Sequence, residues 1–335
     1  MNTIFRTGRW GLLTTLLALE QQPISVSVNE VIVPVTVTDE KGRFVSNLEQ
    51  KDFQILDQGK EQTIKFFSAD RNQPVVVGFL MDLSNASKSQ WKHYQDSAIE
   101  LALTLLPGDK KYAGYLVGYS NEAEVMVDTT TDSDKIVEKL RNVKPGGGSA
   151  LYDAIYMACT SRKLVKGDPV EPRRIVVIIG DGHDNASKHG LNEVLELAQR
   201  NLVTIYGIST IAYGFGSEGE NNLKRLAEET GGRVEYPLEN VYKDVAGYLQ
   251  LPQDAGNFAY KVGTGGYASA LASAIFRAIA NTSGEITTQY IIRYVPNYEE
   301  GTRDAARQFR NLEVKVALPN VTVRARKGYY PYDPK

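Results

Sequence analysis

The chain has 335 residues, 42% of them apolar, enough to bury one large core and a smaller second one. Its 38 Lys and Arg against 40 Asp and Glu leave a formal charge of −2. No long-range field therefore favours a phosphate backbone or an anionic membrane, which excludes nucleic acid as an expected partner.

Residues 1–22 carry Arg6 and Arg9 ahead of an apolar stretch, Trp10 to Leu19, that is too short to span a bilayer. The segment reads as a signal peptide and makes the protein an exported one, periplasmic or extracellular. From Ile24 to Val37 apolar residues alternate, the period of a half-buried strand. Strands at Phe53–Leu56 and Gln62–Phe67 follow, separated by Asp39-Glu40-Lys41-Gly42 and Asp57-Gln58-Gly59-Lys60 turns.

After Pro74 the pattern changes. Val75 to Met81 runs apolar without alternation, as a strand covered on both faces must. Similar runs at Tyr112–Tyr119, Arg174–Ile179 and Leu202–Ile208 are separated by helical patterns at about 89–106, 150–164 and 191–201. Strand and helix in alternation imply right-handed crossovers and a mostly parallel, doubly wound sheet. Glu122–Asp128 reads as a short antiparallel edge strand, Asn222–Thr230 as a helix, Arg233–Tyr236 as a strand and Ala268–Asn281 as the last helix. Residues 238–267 show neither period and read as a surface excursion. Cys159, alone in the chain and on one helical face with Leu151, Ile155 and Ala158, reads as a small buried hydrophobe.

Beyond Gly284 the β pattern returns at Gln289–Val295, Phe309–Leu318 and Val321–Lys327. Neither end alone has enough strands for a stable sheet, so the two ends are expected to pair. The α/β unit, 73–283, then sits as an insertion in a small β-sandwich-like domain built from 23–72 and 284–335.

An open parallel sheet binds ligands beyond the carboxyl ends of its strands, where strand order reverses. Asp82-Leu83-Ser84-Asn85-Ala86-Ser87 follows the first long apolar strand, and Gly180-Asp181-Gly182-His183-Asp184-Asn185 follows the third. Pro145-Gly146-Gly147-Gly148-Ser149 opens the helix near Ala150. Two carboxylates and several hydroxyls thus converge on one edge, a set of hard oxygen donors that suits Mg²⁺. Asp82 and Ser84 also suit turn formation and N-capping ahead of the next helix.

Asp82-Leu83-Ser84, Gly147-Gly148-Ser149-Ala150-Leu151-Tyr152-Asp153 and Ile179-Gly180-Asp181-Gly182 resemble the three loops of the metal-ion-dependent adhesion site in von Willebrand factor A domains. Leu226 to Arg233 is similar to that Rossmann-like fold's late helix-to-strand turn, so the likeness covers about 74–281. The flanks, Val33-Pro34-Val35-Thr36-Val37-Thr38-Asp39 and Arg324-Ala325-Arg326-Lys327-Gly328-Tyr329-Tyr330, are similar to exported A-domain-related proteins frequent in soil Acidobacteria. The resemblance implies a binding or adhesion module and not an enzyme. Its metal ligands would be Asp82, Ser84, Ser149 and Asp181, its ion Mg²⁺ or else Mn²⁺ or Ca²⁺, and its ligand a protein that offers a carboxylate. Hydroxyls would touch the ion directly and aspartates mostly through water. The chain departs from the family's Asp-x-Ser-x-Ser at Ala86, with Ser87 one residue late. It also has Ser149 for a threonine, and Gly180 where a threonine hydroxyl is usual. Restoring a serine at position 86 is accordingly expected to strengthen the metal.

Two enzymatic readings compete. Gly214-Phe215-Gly216-Ser217-Glu218-Gly219 satisfies G-x-G-x-x-G with Glu235 downstream, the pattern of a nucleotide-dependent oxidoreductase. Ser84, His183 and Asp181 could form a hydrolase triad, although no G-x-S-x-G elbow is present.

Overall fold

Every second side chain of a strand points to the same face, and in this chain both faces of the central strands are apolar. Val75, Val77, Phe79 and Met81 pack under one layer of helices, while Val76 and Leu80 pack under the other. The computed structural model describes residues 30–69, 73–161, 164, 172–210, 217–237, 255–296 and 308–331. The proposed signal segment and Ile24–Val28 lie outside them.

The central sheet has six strands: β5 (Val75–Asp82), β6 (Tyr112–Tyr119), β7 (Ala123–Thr130), β8 (Arg173–Gly180), β9 (Thr204–Ser209) and β10 (Val234–Glu235). Their order is β10-β9-β8-β5-β6-β7, parallel throughout except for the antiparallel edge strand β7. The expected doubly wound, mostly parallel sheet is therefore present. On one face lie α1 (Trp91–Leu105), α2 (Ser133–Asn142) and α6 (Ala255–Thr288); on the other lie α3 (Leu151–Thr160), α4 (Leu191–Arg200) and α5 (Glu218–Thr230).

The chain runs from β5 to β6 and β7 on one side, then crosses back to β8 on the other side of β5. The strand order therefore reverses between β5 and β8, where the sheet leaves a crevice at its carboxyl edge. Asp82 closes β5 and Gly180 closes β8.

The terminal strands pair as their isolation required. β1 (Val31–Asp39) lies antiparallel between β11 (Tyr290–Tyr294) and β13 (Val321–Arg324), and β4 (Phe66–Ser68) extends that sheet beside β11. A second sheet joins β14 (Gly328–Tyr329), β12 (Arg310–Val316), β2 (Phe53–Asp57) and β3 (Lys60–Gln62). Val33, Val35, Phe53, Ile55, Ile292 and Leu312 share the core between them.

Two elements correct the sequence reading. α2 was not foreseen, because only Ile136, Val137 and Leu140 are buried among polar neighbours; Asp132 caps it by accepting from the Asp134 amide at 3.0 Å. The last helix, expected to stop at Asn281, begins at Ala255, inside the stretch read as an irregular excursion, and runs through Gly284 to Thr288. A mid-helix glycine costs only about 1 kcal/mol. Burial of Glu285 and Ile286 offsets it, and the Thr287 and Thr288 hydroxyls bond back to the Ser283 and Gly284 carbonyls at 3.0 and 2.7 Å. Residues 238–254 lie outside the described part.

Helix α6 joins the two cores through a buried ionic cluster. The Glu285 carboxylate accepts from Thr36 Oγ1 at 3.0 Å and Tyr206 OH at 3.2 Å, and pairs with Arg233 at 3.1 Å and with Arg324. Gln289 donates to Thr36 and Tyr206 and accepts from Arg173 at 2.9 Å. Cys159 is buried as expected, and burial pushes its thiol up to about 12, which leaves it unreactive.

Candidate functional site

Three loops meet over the carboxyl ends of β5, β6 and β8. The first leaves β5 at Asp82, whose Oδ1 accepts from the Ser84 amide at 2.7 Å and bends the chain. Ser84 then caps a 3-10 helix, Asn85–Gln90, its Oγ accepting from the Ala86 amide at 3.3 Å. The second loop, Gly146–Ser149, is tied to the first by amide bonds from Asn85 to Gly147 and from Gly146 to Leu83. The third follows Gly180. Ser149 Oγ donates to the His183 carbonyl at 2.7 Å, which closes the ring of loops. Asp82, Ser84 and Ser149 are buried, and Asp181 is half-buried. Asp181 is near enough for its charge to act on the Asp82 carboxyl.

Glycines fit where other residues would not. Gly147 adopts φ +99°, and Cβ atoms at Gly147 and Gly148 would each stand 2.9 Å from an asparagine oxygen, of Asn121 and Asn185 respectively. Those two asparagines are the clamps of the loop: Asn121 Oδ1 accepts from the Gly148 amide at 2.7 Å and Asn185 Oδ1 from the Ser149 amide at 2.8 Å. Sequence reasoning missed Asn121, which looks like any polar residue in the β6–β7 turn.

The donors at the opening of α3 are likewise spent. Asp184 Oδ2 accepts from the Tyr152 amide at 2.9 Å, and Ser187 Oγ from the Asp153 amide at 2.9 Å. The Asp153 carboxylate is taken by His189 Nδ1 at 2.7 Å and by the Lys188 amide at 3.0 Å. The loops thus use these backbone donors to hold one another.

Oxygens are left over instead. Asp82 Oδ2, Ser87 Oγ and Tyr119 OH are buried and close no hydrogen bond of normal geometry among the described residues. Burial raises the Asp82 carboxyl, bonding from the Ser84 amide opposes this, and the Asp181 charge adds to the rise. Burial, with the charges of Asp82, Asp181 and Asp184, also pushes the Tyr119 hydroxyl well above its usual value, so it stays a neutral phenol.

Tyr119 owes its place to Gly180. A Cβ at position 180 would clash with the Tyr119 hydroxyl and stand 2.9 Å from Asp82 Cβ. The phenol oxygen thus fills the space that the family's threonine would need. Gly180→Ala is expected to cost about 1–3 kcal/mol by overpacking, and Tyr119→Phe in the same chain to return part of it. Denaturant unfolding of the double-mutant cycle checks this; strictly additive costs would contradict it.

The rival sites find less support. His183 Nδ1 stands 3.3 Å from Asp181, but no hydrogen bond joins the His183 ring to Ser84 among the described residues, and the Ser84 hydroxyl oxygen faces the Ala86 amide. Gly214 and Gly216 lie outside the described residues. Gly219 packs against the third loop, where a Cβ would stand 2.7 Å from the His183 amide nitrogen. Glu235 pairs with Arg233 at 2.5 Å beside the buried cluster, which explains the acid without a ribose.

Among the described residues no group of three or more His, Cys, Asp or Glu could hold a metal, and no helix is long and apolar enough to cross a membrane. Any cation at this edge therefore rests on two carboxylates and hydroxyls.

The family model of the von Willebrand factor type A domain matches residues 77–245. No curated protein matches the chain. Among solved structures, an aerotolerance-related membrane protein from Bacteroides fragilis is 18% identical over 48% of this chain and 90% of that one, with a TM-score of 0.37. The conserved hypothetical protein BatB from Bacteroides thetaiotaomicron is 17% identical over 52% of this chain and 98% of its own, also at 0.37. Proximal thread matrix protein 1 of the mussel byssus, solved with a zinc-occupied MIDAS motif, is 16% identical over 54% of this chain and 46% of its own, at 0.40.

Proposed function

Because the chain belongs to the von Willebrand factor type A domain family, whose model spans residues 77–245, we propose that it is an exported, non-catalytic binding module. Its ligand face is the crest of loops over Asp82, Ser84, Ser149 and Asp181. We assign 1–22 to a signal peptide, 23–72 with 284–335 to the β-domain, and 73–283 to the A domain.

The observation that carries the reading is the imbalance of donors and acceptors at this crest. The amides of Ser84, Gly148, Ser149 and Tyr152 are all paired within the loops, whereas Asp82 Oδ2 and Ser87 Oγ are buried and close no hydrogen bond of normal geometry among the described residues. Such a site repels an anion and suits a hard cation, which takes oxygen ligands and only one or two carboxylates. Asp82, Ser84, Ser149 and Asp181 would hold Mg²⁺, with Mn²⁺ or Ca²⁺ as substitutes. When bound, the ion supplies the positive charge that draws a carboxylate of a partner protein. The chain's own residues orient the oxygens: Asn121 and Asn185 fix the glycine loop, and the bond from Ser149 to His183 fixes its hydroxyl.

The test is capture of proteins from the periplasmic or secreted fraction in Mg²⁺ and in chelator. A partner retained by the native chain in Mg²⁺, and lost both in chelator and on Asp181→Ala, is the expected outcome. Retention that ignores chelator and Asp181→Ala alike would overturn the metal-bridged reading.

A further inference from the structure

Building on the metal-binding reading above, we infer that Ser87 supplies the hydroxyl ligand that position 86 lacks, because the first loop continues as a 3-10 helix and not as an α-helix.

A 3-10 helix has three residues per turn, so side chains at i and i+3 eclipse one another. Ser84 caps the 3-10 segment Asn85–Gln90, and the Ser87 amide donates to the Ser84 carbonyl at 3.3 Å. Exposure follows that period: Ser84 and Ser87 are buried, at 4% and 3%, while Asn85, Ala86 and Lys88 are exposed. Position 86 therefore faces away from the crest, and position 87 faces the same way as Ser84. On this inference a serine at 86 would not strengthen the site, contrary to the expectation drawn from the sequence, since its hydroxyl would stand on the exposed side of the turn.

One further fact points Ser87 toward a ligand: Ser87 Oγ, like Asp82 Oδ2, is buried and closes no hydrogen bond of normal geometry among the described residues. Burying a hydroxyl without a partner is unfavourable, and a cation between the two oxygens would satisfy both. The extra residue that seems to break the family's spacing is thus absorbed by a tighter turn, which returns a serine to the site one position late.

The test follows Mn²⁺ by the electron paramagnetic resonance of the free ion, together with thermal unfolding in and out of Mn²⁺, for the native chain, Ser87→Ala, Ala86→Ser and Asp82→Asn. Ser87→Ala is expected to weaken Mn²⁺ by about 10-fold or more and to shrink the rise in unfolding midpoint that Mn²⁺ gives. Its metal-free midpoint should not fall, since only an unpartnered hydroxyl has gone. Ala86→Ser should change affinity by less than about twofold, as surface substitutions do.

Native affinity in Ser87→Ala, a tenfold gain in Ala86→Ser, or a lower metal-free midpoint in Ser87→Ala would each overturn the inference. If the native chain binds Mn²⁺ and Asp82→Asn does not, while Ser87→Ala binds as the native chain does, the metal reading stands and this inference fails. If the native chain takes up no Mn²⁺, both fail.

Discussion

Replacing Glu285 by alanine is expected to lower the unfolding free energy by about 3–5 kcal/mol, the cost of removing one partner from a buried ionic cluster. The carboxylate is fully buried and meets Arg233, Arg324, Thr36 and Tyr206. Its loss leaves Arg233 paired with Glu235 instead of with both acids and takes the Glu285 counter-charge from Arg324. The two arginine side chains keep 26% and 23% of their surface in water, so they recover some hydration. The lower end of the range is therefore the better figure. Chemical unfolding of the purified variant measures it; a change below about 1 kcal/mol, the level of an exposed pair, would show that the cluster does not tie α6 to the terminal sheets.

Asp82→Asn should separate stability from binding. With one of two carboxylates gone, the affinity for Mg²⁺ should fall by more than the roughly 10–100-fold that loss of an outer-shell partner costs a metal site. Stability of the metal-free chain should move the other way. Burial first, and the Asp181 charge as well, raise the Asp82 carboxyl in the folded chain. A raised folded pKa means that the native state holds a proton which the unfolded chain releases, so stability present at low pH is lost as pH rises through the folded value. Asparagine carries no such charge. It can still accept from the Ser84 amide, and its NH₂ can meet the Ser87 and Tyr119 oxygens, which close no hydrogen bond among the described residues. The metal-free variant should thus unfold later than the native chain at neutral pH, and the difference should close in acid. A variant less stable at neutral pH would make the Asp82 charge a structural need.

Much of the fold was legible because burial writes itself into strand composition. Val75–Met81 and Arg174–Ile179 are apolar on both faces, which only a sheet covered twice requires. The alternation from Val31 to Val37 likewise announced a partner that the first part of the chain could not supply by itself. Helix α2 escaped because three apolar residues in ten make a weak stripe, and the end of α6 escaped because Gly284 reads as a stop. Its helical state is fixed by Glu285, whose partners Thr36 and Arg324 are remote in sequence.

The site divides in the same way. Asp82, Ser84, Ser149 and Asp181 stand out because strand ends and a glycine-rich helix opening mark them. Asn121, Tyr119 and Ser87 do not, since each acts through a contact that depends on the final packing. Ser87 shows the point best: whether position 86 or 87 faces the crest depends on three or 3.6 residues per turn, a choice that the letters Ser-Asn-Ala-Ser leave open.

The proposed binding requires a cation held at the crest by buried oxygens. Calorimetric titration of Mg²⁺ and Mn²⁺ into the chelator-treated native chain and into Asp82→Asn measures that directly. Saturable uptake at one site by the native chain, absent from Asp82→Asn, is the predicted result; no uptake by the native chain, or equal uptake by both, would contradict it.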